Sequence, residues 1–147
     1  MGPGEGSADG FVVLPSGRRI RGGAMTGDRP RGWHPRLALH LSWRRPRAPE
    51  WEREWIRWPD FRGPSDPAAA LAVLREAHRR SLEEDVEILC RGGVARTGTA
   101  LAALVVLEGR KPESAAAWVR ANYAPRAVQT MWQWTFLFRV SSGALDG

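Results

Sequence analysis

One stretch of this sequence concentrates residue types that handle anions. Cys90-Arg91-Gly92-Gly93-Val94-Ala95-Arg96-Thr97-Gly98 lies between the apolar run Val86-Glu87-Ile88-Leu89 and the apolar segment Thr99 to Leu107. A strand that enters a helix through such a loop offers unpaired N–H groups and the positive end of the helix dipole, both of which favour an anion. Adjacent glycines let successive N–H groups turn inward as an anion nest. The same field favours a thiolate over a thiol, so a cysteine at the loop entrance becomes a nucleophile. Arg96 would close the cradle with a planar fork that matches two phosphate oxygens. The expected phosphate-binding set is Arg91, Gly92, Gly93, Val94, Ala95 and Arg96. The Cys-x5-Arg spacing alone carries little, because 21 arginines among 147 residues place one at a random position about one time in seven. A buried core cysteine ahead of a Gly-rich turn would show the same spacing. The preceding strand, the paired glycines and the Thr-Gly-helix that follows favour the anion site.

The elements that must position this loop follow from local pattern. Residues 1–10 read as a flexible leader. Phe11-Val12-Val13-Leu14, a turn at Pro15-Ser16-Gly17 and Arg18 to Arg21 predict a short hairpin. Gly22 to Arg36, rich in glycine and proline, predicts a loop. Leu37 to Leu41 predicts a strand, Pro46 to Glu50 a break, and Trp55-Ile56-Arg57-Trp58 a second strand. Ser65 or Asp66 caps a helix with Pro67 in its first turn, and Ala70, Leu71, Leu74 and Ala77 line one face of it. Val86 to Leu89 is a short apolar strand. Thr99 to Leu107, Ser114 to Asn122 and Ala127 to Phe138 predict three helices. Strand, loop and helix around one cysteine is an α/β arrangement: a single compact domain, with a small twisted central sheet flanked by helices. The expected organisation is leader 1–10, domain 11–140 and flexible tail 141–147.

Composition narrows the class. A chain of 147 residues, 43% hydrophobic and 26% charged, suits one globular core. No apolar run approaches the ~20 residues of a membrane span, and Met1 to Val12 lacks the pattern of a secretory signal. Cys90 is the only cysteine, which excludes an internal disulfide framework, and with three histidines it disfavours a Cys/His zinc site. The expectation is a soluble, cytoplasmic domain without integral membrane contact. The net charge of +6 falls entirely on residues 1–47, which hold nine arginines and three acidic residues. Lys111 is the only lysine, so arginine serves solubility throughout; with abundant alanine, that bias points to a GC-rich bacterial genome. No nucleic-acid partner is expected, since no readable motif accompanies the arginines.

The cysteine loop resembles the signature loop of cysteine-dependent protein tyrosine phosphatases, Cys-x5-Arg followed by Ser or Thr. Trp58-Pro59-Asp60-Phe61-Arg62-Gly63-Pro64 resembles the family's mobile Trp-Pro-Asp loop, including the proline four residues after the aspartate. Gln129-Thr130-Met131-Trp132-Gln133 is similar to the glutamine loop of tyrosine-specific members. By length the chain resembles the compact dual-specificity and small bacterial members. Three departures stand out. Leu89 occupies the place where the family usually has a histidine, Arg91 is an uncommon cation directly after the nucleophile, and no counterpart of the aromatic loop around a deep phosphotyrosine pocket is evident.

The resemblance implies hydrolysis of a phosphate monoester, foremost phosphotyrosine on a protein. Cys90 would be the nucleophile and Arg96 the clamp on the phosphoryl oxygens. Asp60 would be general acid and then base, Thr97 the donor to the departing sulfur, and Gln129, with Gln133, the orienter of water. Trp58 and Trp132 are the aromatics nearest this chemistry by motif position, with core packing as the plain alternative. No metal or organic cofactor is implied. Two other readings stand beside it: a phosphoinositide or other polyanion phosphatase, favoured by Arg91 and the basic N-terminal third, and a phosphate-binding module without turnover, favoured by Leu89 and Arg91.

Overall fold

The computed structural model describes residues 9–47 and 51–146; most of the expected leader lies outside them. The element order is β1 (Phe11–Val13), β2 (Arg19–Ala24), β3 (Leu37–Ser42), β4 (Glu52–Arg57), α1 (Pro67–Arg80), β5 (Val86–Cys90), α2 (Ala95–Leu107), α3 (Pro112–Asn122) and α4 (Met131–Ser142). The five strands form one sheet in the order β1-β2-β5-β3-β4. β5 is central and parallel to both β2 and β3, β4 runs parallel to β3, and β1 closes the other edge antiparallel. The single α/β domain expected from the element pattern is the observed one.

Register assigns the two faces. Ile20, Val86, Ile88, Cys90, Leu37, Leu39 and Leu41 alternate onto one face and join the apolar residues of all four helices in one core. The opposite face carries Arg21, Glu87, Leu89 and His40. Glu87 is fully buried there and held by Arg21 and Arg29, so its charge is compensated where it could not otherwise be tolerated. Helix α1 begins as its sequence implies, with the Asp66 carboxylate accepting from Ala69 N–H and Pro67 next in the chain. Helix α2 is apolar almost all round and correspondingly buried along its length, packed against α1, α3, α4 and the sheet.

Several boundaries differ from the sequence expectations, among them β4, which spans Glu52–Arg57 against an expected Trp55 to Trp58, and α3, which starts at Pro112 and not Ser114. β2 continues through Gly22, Gly23 and Ala24 because β5 pairs with it there. Helix α2 starts at Ala95, so Arg96 and Thr97 belong to its first turn. Helix α4 starts at Met131, since Val128 adopts φ +60 and Thr130 forms the N-cap. The residues expected as a tail pack on the domain instead: α4 runs through Ser142, Gly143 terminates it at φ +78, and Leu145 is buried. No helix among the described residues is long and apolar enough to cross a membrane.

Candidate active site

The site forms at the C-terminal end of the central strand, where α/β sheets open a crevice between loops. Cys90 ends β5 and is 2% exposed. Its carbonyl accepts from Met25 N–H at 2.8 Å, which locks the end of β2 to the end of β5. Its Sγ accepts the N–H of Gly93 at 3.2 Å. Gly93 has φ +72, and a Cβ there would lie 2.6 Å from Gly23 C and Ala24 N. Glycine is therefore required twice over, for conformation and for close approach. Gly92, by contrast, is exposed and faces open space. Helix α2 has no side-chain cap at its N-terminus, so its first amide groups are not taken up by a capping side chain.

Arg96 lies 5% exposed between two loops. One guanidinium nitrogen donates to the Trp58 carbonyl at 2.9 Å, and Nε stands 3.6 Å from an oxygen of Asp60. The Asp60 turn is held by its own parts. Phe61 N–H donates to the Asp60 carboxylate at 3.0 Å, and the Trp58 indole N–H donates to the Arg62 carbonyl. The Trp58 ring is fully buried, edge-on to Phe136. It anchors the turn from within the core and does not face a ligand.

A cavity of about 350 Å³ gathers Cys90, Arg91, Gly92, Val94, Ala95 and Arg96 with Asp60, Phe61 and Gln129. Cys90, Asp60, Arg96 and Gln129, dispersed over seventy residues of sequence, thus share one space. Thr97, Gln133 and Trp58 do not line it. Thr97 is fully buried in the first turn of α2 and its hydroxyl has no hydrogen-bond partner. Gln133 is fully buried in a capping box, its side-chain oxygen accepting from Gln129 N–H at 2.7 Å and Thr130 N–H at 3.3 Å. Arg120 secures the same turn by donating to the carbonyls of Ala127 and Val128. The turn approaches α2 closely, and a Cβ on Gly98 would sit 2.3 Å from that of Ala127. Trp132 is half exposed beside Arg62, in a neighbouring groove and not in the cavity that Cys90 lines.

One residue of the site is absent from the sequence expectations. Tyr123, just after α3, donates its hydroxyl to the Gly93 carbonyl. Burial, and next the negative charge of Cys90, push its phenol above the ordinary tyrosine range, with Arg21 pulling weakly the other way. Its only local signal lies elsewhere in the chain: the glycines in β2, where another group comes close to the backbone.

Comparison with known proteins agrees with this geometry. Residues 41–141 match the family model for protein-tyrosine phosphatase, more than half of the chain, and the chain belongs to that family. It is 26% identical to Tk-PTP in its active form, with a TM-score of 0.65 over 74% of this chain and 79% of that one. A mouse putative dual specificity phosphatase complexed with zinc tungstate is 17% identical, with a TM-score of 0.60 over 99% of this chain and 95% of that one. PTPMT1 in complex with PI(5)P is 14% identical, with a TM-score of 0.51 over 76% and 78% of the two chains. The last two share the fold. No curated protein sequence matches the chain. Family and fold together support cysteine-based hydrolysis of phosphate esters.

Proposed function

We propose that this protein hydrolyses phosphotyrosine on proteins through a cysteinyl-phosphate intermediate. The observation that carries the reading is the convergence of Cys90, Arg96 and Asp60 on one cavity. Cys90 Sγ attacks phosphorus as the bond to the tyrosyl oxygen breaks. The loop N–H groups and the Arg96 guanidinium hold the equatorial oxygens over which the transition state spreads its charge. Asp60 gives its proton to the leaving phenolate and later takes one from the attacking water, so one carboxyl serves both steps. Water displaces Cys90 Sγ, releasing inorganic phosphate and restoring the thiolate. Thr97 is assigned to the departing sulfur, a use suited to a buried hydroxyl with no other partner. Gln129 orients the water, and Gln133 supports it by fixing the Gln129 backbone.

Tyrosine preference is supported by Gln129 in the cavity wall and by Phe61, exposed at the rim where a substrate ring can pack. Arg91 in the same wall favours a second reading, a polyphosphorylated substrate such as a phosphoinositide. Turnover of phosphotyrosyl peptides, phosphoseryl peptides and phosphoinositides separates the two. Phosphotyrosyl peptides are expected to react fastest, with Arg91→Ala leaving their kcat/KM within about tenfold. Faster phosphoinositide turnover that Arg91→Ala removes would replace the tyrosine assignment with the lipid one. Cys90→Ser is expected to abolish hydrolysis while the fold persists. A folded wild type that binds phosphate and turns nothing over would leave a binding module.

A further inference from the structure

Tyr123 reaches the cysteine loop across β2 and not through the cavity lining. Its ring crosses β2 at Gly22, where a Cβ would lie 2.6 Å from Cε1, 2.7 Å from Cζ and 2.8 Å from the hydroxyl oxygen. Only a glycine at position 22 leaves that path open. The hydroxyl ends on the Gly93 carbonyl, while the N–H of the same Gly93 points to Cys90 Sγ. A trans peptide directs its C=O and N–H to opposite sides. With the Gly93 carbonyl held by Tyr123, the N–H of Val94 is turned the opposite way, and Val94 is one of the residues that line the cavity. Tyr123 itself takes no part in that lining.

The loop needs such a brace. Gly93 sits at positive φ in a segment whose peptides have several accessible orientations, and a flipped 93–94 peptide would present a carbonyl oxygen to an incoming anion. Leu89, the residue before Cys90, is aliphatic and supplies no polar group to prevent this. Burial and the nearby Cys90 charge keep the Tyr123 phenol protonated, so it acts as a donor and holds a carbonyl.

We propose that Tyr123 is a positioning residue of the anion cradle, holding the Gly93–Val94 peptide so that Val94 N–H faces the phosphoryl oxygens. The role rests on the phosphatase reading for the identity of the anion, but it concerns binding and does not require turnover. It assigns Gly22 a purpose as well: β2 carries glycine there so that the tyrosine can pass.

The test compares wild type, Tyr123→Phe and Gly22→Ala in three measurements: calorimetric affinity for inorganic phosphate and for vanadate, steady-state kinetics on aryl phosphates with leaving groups of different acidity, and Tm. Phenylalanine keeps the ring over Gly22 and removes only the donor. Tyr123→Phe is expected to weaken both anions about tenfold and to lower kcat/KM by a similar factor. The loss should be the same for every leaving group, because the cradle holds the equatorial oxygens and not the bond that breaks. Gly22→Ala, which pushes the ring aside, is expected to reproduce that pattern. Anion affinities for Tyr123→Phe within twofold of wild type would overturn the proposal, as would a kinetic loss that grows with leaving-group pKa. A wild type that binds neither anion would overturn the phosphatase reading and this role together. Wild-type binding lost in Tyr123→Phe without turnover by either protein would sink the enzyme reading while upholding the cradle.

Discussion

Two neighbouring glycines in the loop after Cys90 should respond differently to the same substitution. In Gly93→Ala the new methyl would meet Gly23 C and Ala24 N at 2.6 Å, at a residue with φ +72. Left-handed backbone costs an alanine about 1–2 kcal/mol. Forcing a methyl into packed surroundings adds about 1–3 kcal/mol. The atoms it meets are backbone, and that backbone is fixed by the Met25 N–H to Cys90 carbonyl bond at 2.8 Å. The loop must therefore yield, turning the Gly93 N–H away from Cys90 Sγ and misdirecting the next peptide. Loss of an oriented oxyanion donor costs roughly 10²- to 10³-fold, so kcat/KM on an aryl phosphate should fall by about two orders of magnitude. The residual strain should lower Tm by several degrees, at about 2–4 °C per kcal/mol for a domain of this size. In Gly92→Ala the methyl meets no protein atom, and Tm should stay close to wild type. Paired kinetics and thermal melts decide the matter. A Gly93→Ala protein within threefold of wild-type kcat/KM and with unchanged Tm would refute the reasoning, and so would an equal drop in Tm in Gly92→Ala.

Asp60→Ala is expected to lower kcat by roughly 10²- to 10⁴-fold, less for aryl phosphates whose leaving group is already acidic; equal losses across a leaving-group series would remove Asp60 from the acid role. Arg96→Lys should fail to restore activity, because an ammonium cannot both hold the Trp58 carbonyl and present a two-pronged face to phosphate; near-wild-type vanadate affinity in that variant would contradict this. Stability should fall as pH drops from about 6.5 to 4. His40 is buried with neither ring nitrogen hydrogen-bonded, and burial first, then the charges of Arg53 and Arg29, lower its pKa to about 4. Above pH 6.5 the imidazole is neutral in both states. Below it the unfolded chain takes the proton and the folded one does not, a loss approaching about 3 kcal/mol near pH 4. His40→Leu should flatten that part of the urea-melt pH profile, and a profile identical to wild type would count against it.

Features that depend on neighbours in the chain were legible without the fold. The cap and proline at Asp66-Pro67, the alternation in Leu37 to Leu41, the apolar run into Cys90 and the glycine-rich turn after it each declare themselves within a few residues. Each is a local preference of backbone or a face to be buried. The order of Cys90, Asp60 and Gln129 along the chain was equally readable. Their meeting in one cavity was not, because it depends on the parallel pairing of β3, β4 and β5. The same holds for which of two glycines is indispensable, since Gly93 is constrained by β2, some seventy residues away. Gln133 reads as a partner of Gln129, yet its buried oxygen caps the turn that positions Gln129. Trp58 reads as a candidate for the pocket wall, yet it is core. Tyr123 is the clearest case. No periodicity or spacing links it to Gly22 or Gly93, because a glycine in a strand marks a close approach without naming the distant residue that makes it. Such contacts arise only when the sheet and its helices bring distant segments together, and there the tertiary structure alone decides which side chain reaches the loop.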